Sequence, residues 1–314
     1  MQTERFMQKM SDGTEVAVNR WIPENEESIK AVVVFCHGML EHALRYDRIG
    51  SIFAEKGYVF SAHDLRGHGR TAQNAESEGY GKFGVLAERN GFDVVTDDLF
   101  EIVEEVQNDY PEKKVIVMGH SFGSFVVQNF IEKYGDSAAA CVLTGTSGKQ
   151  KLAGIGRLIT GFAGLFGRSR KSKFIQNIAF SGYNKRIENP EYCFEWLCVN
   201  EENLELYKND SWCGGIESVG FFNDLANGLC RIHSRRNIGK IPASLPVLMM
   251  AGSEDPVGEY GKSIRWLEHQ YTAAGLSQVQ FNQYEGDRHE ILNEKDGEKV
   301  LSDLFDWIEK NVSL

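Results

Sequence analysis

The stretch KVIVMGHSFGSFVVQNFIEKY, residues 114–134, decides the architecture of this chain. KVIVMG predicts a buried strand because its side chains are almost all apolar, and Phe122–Tyr134 predicts a helix. Between them Gly119-His120-Ser121-Phe122-Gly123 has the pattern G-x-S-x-G. The two glycines permit a sharp turn and close packing of helix on strand, so we expect Ser121 to project above the strand as a candidate nucleophile.

Short apolar runs alternate with helical patterns on both sides of this stretch. Six runs predict strands: Ala31–Cys36, Tyr58–His63, Lys114–Met118, Ala138–Thr144, Pro246–Ala251 and Gln278–Tyr284. Two earlier strands, Arg5–Lys9 and Thr14–Trp21, are expected to pair as an antiparallel hairpin around Asp12-Gly13. Helices are predicted over Arg45–Lys56 and Phe92–Tyr110. This order is typical of an α/β fold with a mostly parallel central sheet and helices on both faces.

The alternation stops between about residues 146 and 240, where helical patterns follow one another without a convincing strand. We therefore predict a core formed by residues 1–145 and 241–314, with residues 146–240 inserted as a helical cap. The insertion follows the strand Ala138–Thr144, so it should emerge at the carboxyl edge of the sheet, where open α/β folds bind ligands.

A serine hydroxyl needs a base to become nucleophilic, and the base needs a third group that fixes its tautomer. Both partners are available after later strands. His289 follows the strand Gln278–Tyr284, and it is the histidine whose position suits a general base. Asp255 and Glu254 both follow the strand Pro246–Ala251, and position alone leaves the choice of acid between them open.

Acyl transfer also needs hydrogen-bond donors for the oxyanion of the transition state. The backbone N–H of Phe122, directly after the serine, is the first candidate. The second should lie in the loop after the strand Ala31–Cys36, where His37-Gly38-Met39-Leu40 supplies a histidine-glycine turn. We predict that the N–H of Met39 is this second donor.

Five segments resemble the monoacylglycerol lipase and lysophospholipase branch of the α/β-hydrolases, whose sequences are also described as serine aminopeptidases. They are HGMLEHALRY (37–46), HDLRGHGR (63–70), GHSFGS (119–124), GSEDPV (252–257) and GDRHEILNE (286–294). The resemblance implies the α/β-hydrolase fold, and it places the catalytic acid at Asp255 rather than Glu254. Phe122 stands where monoacylglycerol lipases usually have a methionine. The backbone donor is retained, but we expect the shape of the site beside the oxyanion hole to differ.

Composition narrows the classes of partner. The formal net charge of −11 argues against a nucleic-acid binder, and no uninterrupted apolar run is long enough to span a membrane. The polar N-terminal residues argue against a signal peptide, and the six cysteines lack metal-site spacing, so we read them as reduced thiols of a cytoplasmic protein. No metal site or cofactor is predicted; the turn Gly67-x-Gly69 lacks the third glycine of a dinucleotide fingerprint and the helix that it should open.

Residues 146–186 are basic and apolar, with nine Lys or Arg and no Asp or Glu. Seven apolar residues recur there at helical spacing: Leu152, Ile155, Leu158, Ile159, Phe162, Leu165 and Phe166. This apolar stripe favours a cap helix packed on the core over the alternative, a helix that lies on an anionic lipid surface. In both interpretations we expect the stripe to wall the space near Ser121.

The sequence thus predicts a serine hydrolase that cleaves carboxylic esters with an apolar acyl chain, as small-molecule or lipid substrates, through an acyl-serine intermediate. His289 would deprotonate Ser121 and Asp255 would orient the imidazole. Acyl transfer to another alcohol or thiol and peptide hydrolysis stay open as alternatives, because one core hosts all of these activities. A non-catalytic ligand receptor is disfavoured by the complete set of catalytic residues.

Overall fold

A computed structural model describes residues 1–150 and 153–313, which form one sheet with helices on both faces. The sheet has eight strands in the order 1-2-4-3-5-6-7-8. Their bounds are β1 Gln2–Lys9, β2 Glu15–Ile22, β3 Ala31–Cys36, β4 Tyr58–His63, β5 Lys114–His120, β6 Ala140–Thr144, β7 Val247–Gly252 and β8 Val279–Tyr284. All neighbouring pairs from β4 to β8 are parallel, which confirms the predicted α/β architecture.

The antiparallel part of the sheet lies at one edge. β1 pairs with β2 and β2 pairs with β4, both antiparallel. The hairpin turns at Asp12-Gly13 as predicted, and Gly13 has a φ of +89°, a conformation that a residue with a Cβ rarely adopts. The predicted strands are confirmed: Ala31–Cys36 and Tyr58–His63 have the predicted bounds, and the ends of the others differ by at most three residues.

Eleven helices accompany the strands in the described chain. They are α1 Asp47–Glu55, α2 Gly69–Ser77, α3 Gly91–Asp109, α4 Phe122–Tyr134, α5 Ala153–Gly164, α6 Lys173–Ala179, α7 Glu201–Asn209, α8 Val219–Ile232, α9 Arg235–Ile238, α10 Lys262–Ala273 and α11 Gly297–Asn311. The predicted helix Phe122–Tyr134 is found with the same bounds. The predicted helix Arg45–Lys56 is divided into a 3-10 turn, Ala43–Tyr46, and α1.

Each face of the sheet has its own apolar core. On one face α3, α4 and α8 bury residues such as Leu99, Phe130 and Phe221 against the strands. On the other face α1 and α11 bury Phe53 and Phe305. Strands buried on both faces need apolar side chains in both directions, which explains the near-continuous apolar runs of β3, β4 and β7.

Our prediction that the turn Gly67-x-Gly69 opens no helix is wrong, because α2 begins at Gly69. The N–H of Arg70, in the first turn of α2, donates to Oδ2 of Asp64 at 2.7 Å, and Oδ1 of Asp64 accepts from the N–H of Ala43 at the same distance. Asp64 lies several residues before the helix, so the usual capping position does not reveal it in the sequence.

Residues 146–240 contribute no strand to the sheet within their described part. They carry α5 to α9 between β6 and β7, and their isolated bridge joins Lys171 to Ser218. α8 packs against α3 and α4, which attaches this helical insertion to the core. Lys151 and Leu152, the latter a member of the predicted apolar stripe, lie outside the described residues.

The described chain has no helix that is both long and apolar enough to cross a bilayer.

Candidate active site

Ser121 occupies the turn between β5 and α4. Its backbone has φ +52° and ψ −121°, a strained conformation for a residue with a side chain. The glycines on either side leave no space for substitution: a Cβ on Gly123 would collide with the carbonyl group of Cys36, and one on Gly119 would lie 2.5 Å from the carbonyl oxygen of Gly123. The predicted turn is therefore present, and Ser121 lines a cavity above the sheet.

His289 and Asp255 meet at the same edge of the sheet. Nδ1 of His289 lies 3.0 Å from Oδ2 of Asp255, and both side chains are buried. The other carboxylate oxygen, Oδ1, accepts a hydrogen bond from the N–H of Val257 at 2.9 Å. Burial lowers the pKa of His289, but the charge and hydrogen bond of Asp255 outweigh it, so the pKa is raised above its usual value.

Glu254, the competing acid, points elsewhere. Its carboxylate pairs with the guanidinium of Arg186 at 3.2 Å, and its side chain is 40% exposed. The two adjacent carboxylates thus point in different directions, and of the two only that of Asp255 contacts His289. Nε2 of His289 has no hydrogen-bond partner among the described residues and is available to accept a proton.

The two residues predicted to supply the oxyanion donors are close to Ser121 in the chain or in the cavity lining. Phe122 is the first residue of α4, so its N–H has no carbonyl partner within the helix. Gly38 lies close to Ser121, because a Cβ added to Gly38 would be 3.0 Å from that of the serine. Met39 follows it and lines the same cavity.

The ring of His37 holds the loop that carries Met39. Burial keeps the pKa of His37 well below its usual value, so the ring is neutral. Nδ1 lies 2.7 Å from the carbonyl oxygen of Gly38, and Nε2 lies 3.0 Å from the N–H of Leu65. A neutral ring that donates from Nδ1 and accepts at Nε2 satisfies both contacts.

Four other histidines occupy different positions. His120 lies beside the site, with its ring 4.7 Å from that of His289, while His269 is exposed on α10. Nε2 of His68 lies 3.0 Å from Oε1 of Glu217 of the insertion, with both side chains buried, and Nε2 of His42 lies 2.7 Å from Oδ2 of Asp210. These last two pairs connect the core to the helical insertion.

The cavity above Ser121 has a volume of about 280 Å³, and its walls differ in polarity. Close to the serine it is lined by Glu41, His120, His289 and Glu290. The rest of the lining is mainly apolar, and most of this apolar part comes from the insertion: Ala153, Ala179, Phe180, Tyr183, Phe194, Trp196, Leu197, Tyr207, Leu225 and Leu229. The core therefore supplies the charged groups and the histidines, whereas the insertion supplies most of the apolar surface together with Gln150 and Gln176.

The predicted apolar stripe does not form this wall, contrary to our expectation. Six of its residues are 50–78% exposed: Ile155, Leu158, Ile159, Phe162, Leu165 and Phe166. The opposite face of α5 packs on α8, where Oγ1 of Thr160 accepts a hydrogen bond from Nδ2 of Asn223 at 3.1 Å. The preferred interpretation, in which the stripe packs on the core, is therefore wrong: α5 turns its small and polar residues inward.

Sequence reasoning missed a buried group of three charges beside the site. Glu41, Arg45 and Glu290 are each less than one-tenth exposed, and the guanidinium contacts both carboxylates. Burial raises the pKa of Glu41, whereas the guanidinium outweighs burial at Glu290 and lowers its pKa to about 2. Two signals were present in the sequence: the four-residue spacing of Glu41 and Arg45, and the acid next to His289.

One group of side chains in the described chain offers three potential metal ligands. Atoms of His42, Asp210 and Cys213 all lie within 4.8 Å of one another. The contact between His42 and Asp210 at 2.7 Å already accounts for two of these groups as a hydrogen-bonded pair. Burial also raises the pKa of Cys213, which disfavours the thiolate that a metal ion would bind.

The chain matches a family of known proteins and is similar to ester hydrolases. A family model described as serine aminopeptidase, S33, matches residues 27–296, a range that contains Ser121, Asp255 and His289. A monoacylglycerol lipase of Mycolicibacterium smegmatis is 25% identical over 300 residues, which cover 94% of this chain and 93% of that protein.

Solved structures share the fold. A thermostable carboxyl esterase of Bacillus coagulans, crystallised with glycerol, has a TM-score of 0.88 at 23% identity, and the match covers 99% of each chain. A soluble variant of monoglyceride lipase from Saccharomyces cerevisiae, in complex with a substrate analogue, has a TM-score of 0.77 at 17% identity and covers 99% of this chain and 96% of that one.

Proposed function

Because the chain belongs to the serine aminopeptidase S33 family of α/β-hydrolases, we propose that it hydrolyses carboxylic esters with an apolar acyl chain, through an acyl-serine intermediate. The observation that carries this proposal is the position of Ser121 on its strained turn, at the polar end of an apolar cavity that also contains His289. The serine of such a turn is poised for attack on a carbonyl carbon.

The chemistry follows from these groups. Nε2 of His289 takes the proton of Ser121 as its oxygen attacks the ester carbonyl, and the same nitrogen then returns a proton to the leaving alcohol. Asp255 keeps the remaining proton on Nδ1 and stabilises the charged ring. The N–H groups of Met39 and Phe122 stabilise the negative oxygen. Water, activated by His289, then cleaves the acyl-serine.

The polar end of the cavity favours an ester with an uncharged head group. Glu41 and Glu290 line it and share the single positive charge of Arg45, so a phosphate placed there would meet negative charge. We therefore place monoacylglycerols ahead of lysophospholipids within the proposed substrate class. The relative of Mycolicibacterium smegmatis, a monoacylglycerol lipase, supports this choice.

An activity screen tests the proposal. The panel contains monoacylglycerols, lysophospholipids, short p-nitrophenyl esters and aminoacyl amides, with Ser121→Ala as the blank. We expect turnover of the monoacylglycerols and covalent labelling of Ser121 by a fluorophosphonate probe. An adduct on another serine would overturn the nucleophile, and turnover of the amides alone would overturn the reaction type.

We also propose that residues 146–240 act as a cap that contacts lipid. The exposed stripe of α5 continues into Phe174 and Ile178 of α6, which are 73% and 53% exposed. Arg157, Arg170, Lys171 and Lys173 are exposed in the same segment, which carries no acid. An apolar surface edged by cations suits an anionic membrane, where burial and charge act together.

Vesicle co-sedimentation tests the lipid contact. The cationic variant changes Arg157, Arg170, Lys171 and Lys173 to Gln, and spares Arg168 because its guanidinium is paired with Asp224 at 2.7 Å. Wild type should prefer anionic over neutral vesicles at low salt, and the variant should lose that preference while it still hydrolyses a short soluble ester. Binding that ignores charge, salt and substitution would overturn the lipid contact.

We further propose a cytoplasmic location. All six cysteines are free in the structure, which suits a reducing compartment. Fractionation of the native cells, with thiol labelling of the intact protein, tests this location. Recovery of the protein with oxidised cysteines from an extracytoplasmic fraction would overturn it.

A further inference from the structure

We propose that Glu41 is a positioning residue for the hydrolysis: it holds the loop of the second oxyanion donor in register with the catalytic base, through Arg45 and Glu290. The inference rests on the proposed function and concerns residues that take no direct part in the chemical steps. The inference is based on the hydrogen bonds of three buried charged side chains, Glu41, Arg45 and Glu290. Together they form a network that connects the loop of residues 37–40, here called the oxyanion loop, to the loop that carries His289.

At one end of this network, Glu41 holds the oxyanion loop. Oε1 of Glu41 accepts a hydrogen bond from the N–H of Gly38 at 2.5 Å, and a second from the hydroxyl of Tyr46 at 2.9 Å. Gly38 directly precedes Met39, whose N–H is the proposed donor. Any movement of the Glu41 carboxylate therefore moves the peptide next to the donor.

At the other end of the network, Arg45 holds the loop that carries His289, the proposed base. Nη1 of Arg45 donates to Oε2 of Glu41 at 2.6 Å and to Oε1 of Glu290 at 2.8 Å, and Nη2 donates to Oε2 of Glu290 at 2.9 Å. Glu290 directly follows His289. The planar guanidinium thus fixes the separation of the two carboxylates, which a flexible ammonium group could not do with the same precision.

The surroundings prevent the three groups from moving independently. Nδ2 of Asn203, from the helical insertion, donates to Oε2 of Glu290 at 2.6 Å. The Cζ atom of Arg45 lies 4.9 Å from the ring centroid of Tyr207, also in the insertion. A Cβ on Gly38 would lie 2.7 Å from Oε1 of Glu41, so the loop closes tightly on this carboxylate.

Glu41→Gln is the informative substitution because it preserves shape. Glu41 uses both of its oxygens as acceptors, whereas glutamine has a single acceptor oxygen. The variant must give up either the N–H of Gly38 or the guanidinium of Arg45. Both losses release the oxyanion loop from the base without opening a cavity.

The experiment measures transition-state binding separately from substrate binding. For Glu41→Gln we expect kcat on a monoacylglycerol to fall about tenfold or more, with KM within about twofold of wild type. The affinity for a long-chain trifluoromethyl ketone, which forms an oxyanion on Ser121, should fall in parallel. The affinity for a 1-O-alkylglycerol ether, which resembles the substrate but cannot react, should stay unchanged.

Asp98→Asn is the matched control for a general loss of stability. Asp98 is as buried as Glu41 and pairs with Arg66 at 2.6 Å, but neither residue lines the cavity. This control should melt at a lower temperature and retain the kcat of wild type. Should Glu41→Gln fail to fold, Arg45→Lys carries the same test, because lysine cannot bridge both carboxylates in one plane.

Three results would overturn the positioning role. They are a wild-type kcat and ketone affinity in Glu41→Gln, an equal loss of ether and ketone affinity, or an equal loss of kcat in the Asp98→Asn control. A wild-type protein that hydrolyses no ester, or is not labelled at Ser121, overturns the proposed function instead. That outcome is recognised before any variant of Glu41 is compared.

Discussion

Helices α4 and α5 each contribute a residue to the lining of the cavity, but they place their other apolar side chains in opposite environments. Phe130 of α4 is completely buried, whereas Phe162 of α5 is 66% exposed. α4 packs on the sheet and against both α3 and α8, while α5 is held by α8 through its small and polar face. An apolar stripe thus indicates a surface that needs a partner, and the fold decides whether that partner is the protein itself.

The core and the insertion also differ in what they contribute to the candidate site. Ser121, Asp255 and His289 all come from loops at the carboxyl ends of core strands, and most of the apolar lining comes from the insertion. We therefore expect changes in the core to affect catalysis or stability, and changes in the insertion to affect which ester is accepted.

The largest expected effect is at Asp255, which tests whether the core alone supplies the chemistry. Asp255→Asn should lower kcat about 10⁴-fold, because the imidazole loses the group that fixes its tautomer. Glu254→Gln is the adjacent control, and it should stay within about twofold of wild type because this carboxylate faces Arg186. Steady-state kinetics on a short p-nitrophenyl ester measure both variants; the reverse ranking would move the acid to Glu254.

The second prediction compares the two phenylalanines directly. Phe130→Ala should lower the free energy of unfolding by about 3–5 kcal/mol, because it leaves a cavity in a buried core. Phe162→Ala should change it by less than about 0.5 kcal/mol, since the side chain is mostly exposed already. Urea unfolding followed by circular dichroism measures both. A large destabilisation by Phe162→Ala would mean that α5 packs its stripe on the protein in solution.

The third prediction concerns the acyl wall of the insertion. Leu229→Trp should fill part of the cavity and lower kcat/KM for long-chain monoacylglycerols about 10–200-fold relative to short-chain ones. Leu206→Trp is the control, because Leu206 is 66% exposed on α7 and does not line the cavity. Equal losses for all chain lengths in Leu229→Trp would place the acyl chain elsewhere.

The smallest expected effect is a change in pH dependence. The base must be neutral to accept the proton of Ser121, and Asp255 raises the pKa of His289, so activity should fall as the pH drops through that raised pKa. Asp255→Asn removes the cause of the increase and should move the acid limb of the kcat/KM profile to lower pH. An acid limb that does not move would mean that another group limits activity at low pH.

Several features of the site were predictable from local sequence. The turn at Ser121 is encoded by a strand, two glycines and a helix within residues 114–134, so neighbouring residues suffice to predict it. Asp255 and His289 each follow a predicted strand. Because parallel strands end at one edge of a sheet, their positions after strands predicted that both residues would lie at the same edge as Ser121.

The network around Arg45 was not predictable in the same way. Glu41 and Arg45 are near neighbours, but Glu290 is 245 residues away from Arg45, and no local pattern relates them. Similarly, Asp64 reaches α2 from outside the usual capping position, so the start of that helix was missed. Contacts of this kind depend on how distant loops fold onto one another.

The sequence by itself determined the fold class, the turn at Ser121 and the order of the residues proposed for catalysis. These features follow from hydrophobic periodicity and from glycine conformation, which act over a few residues. The tertiary structure alone decided two things: which buried charges surround the oxyanion loop, and which face of α5 is exposed. It also showed that Asp255, the acid implied by the family resemblance, is the carboxylate that contacts His289. Each of these depends on partners distant in sequence, because hydrogen bonds and burial are properties of groups brought together in space.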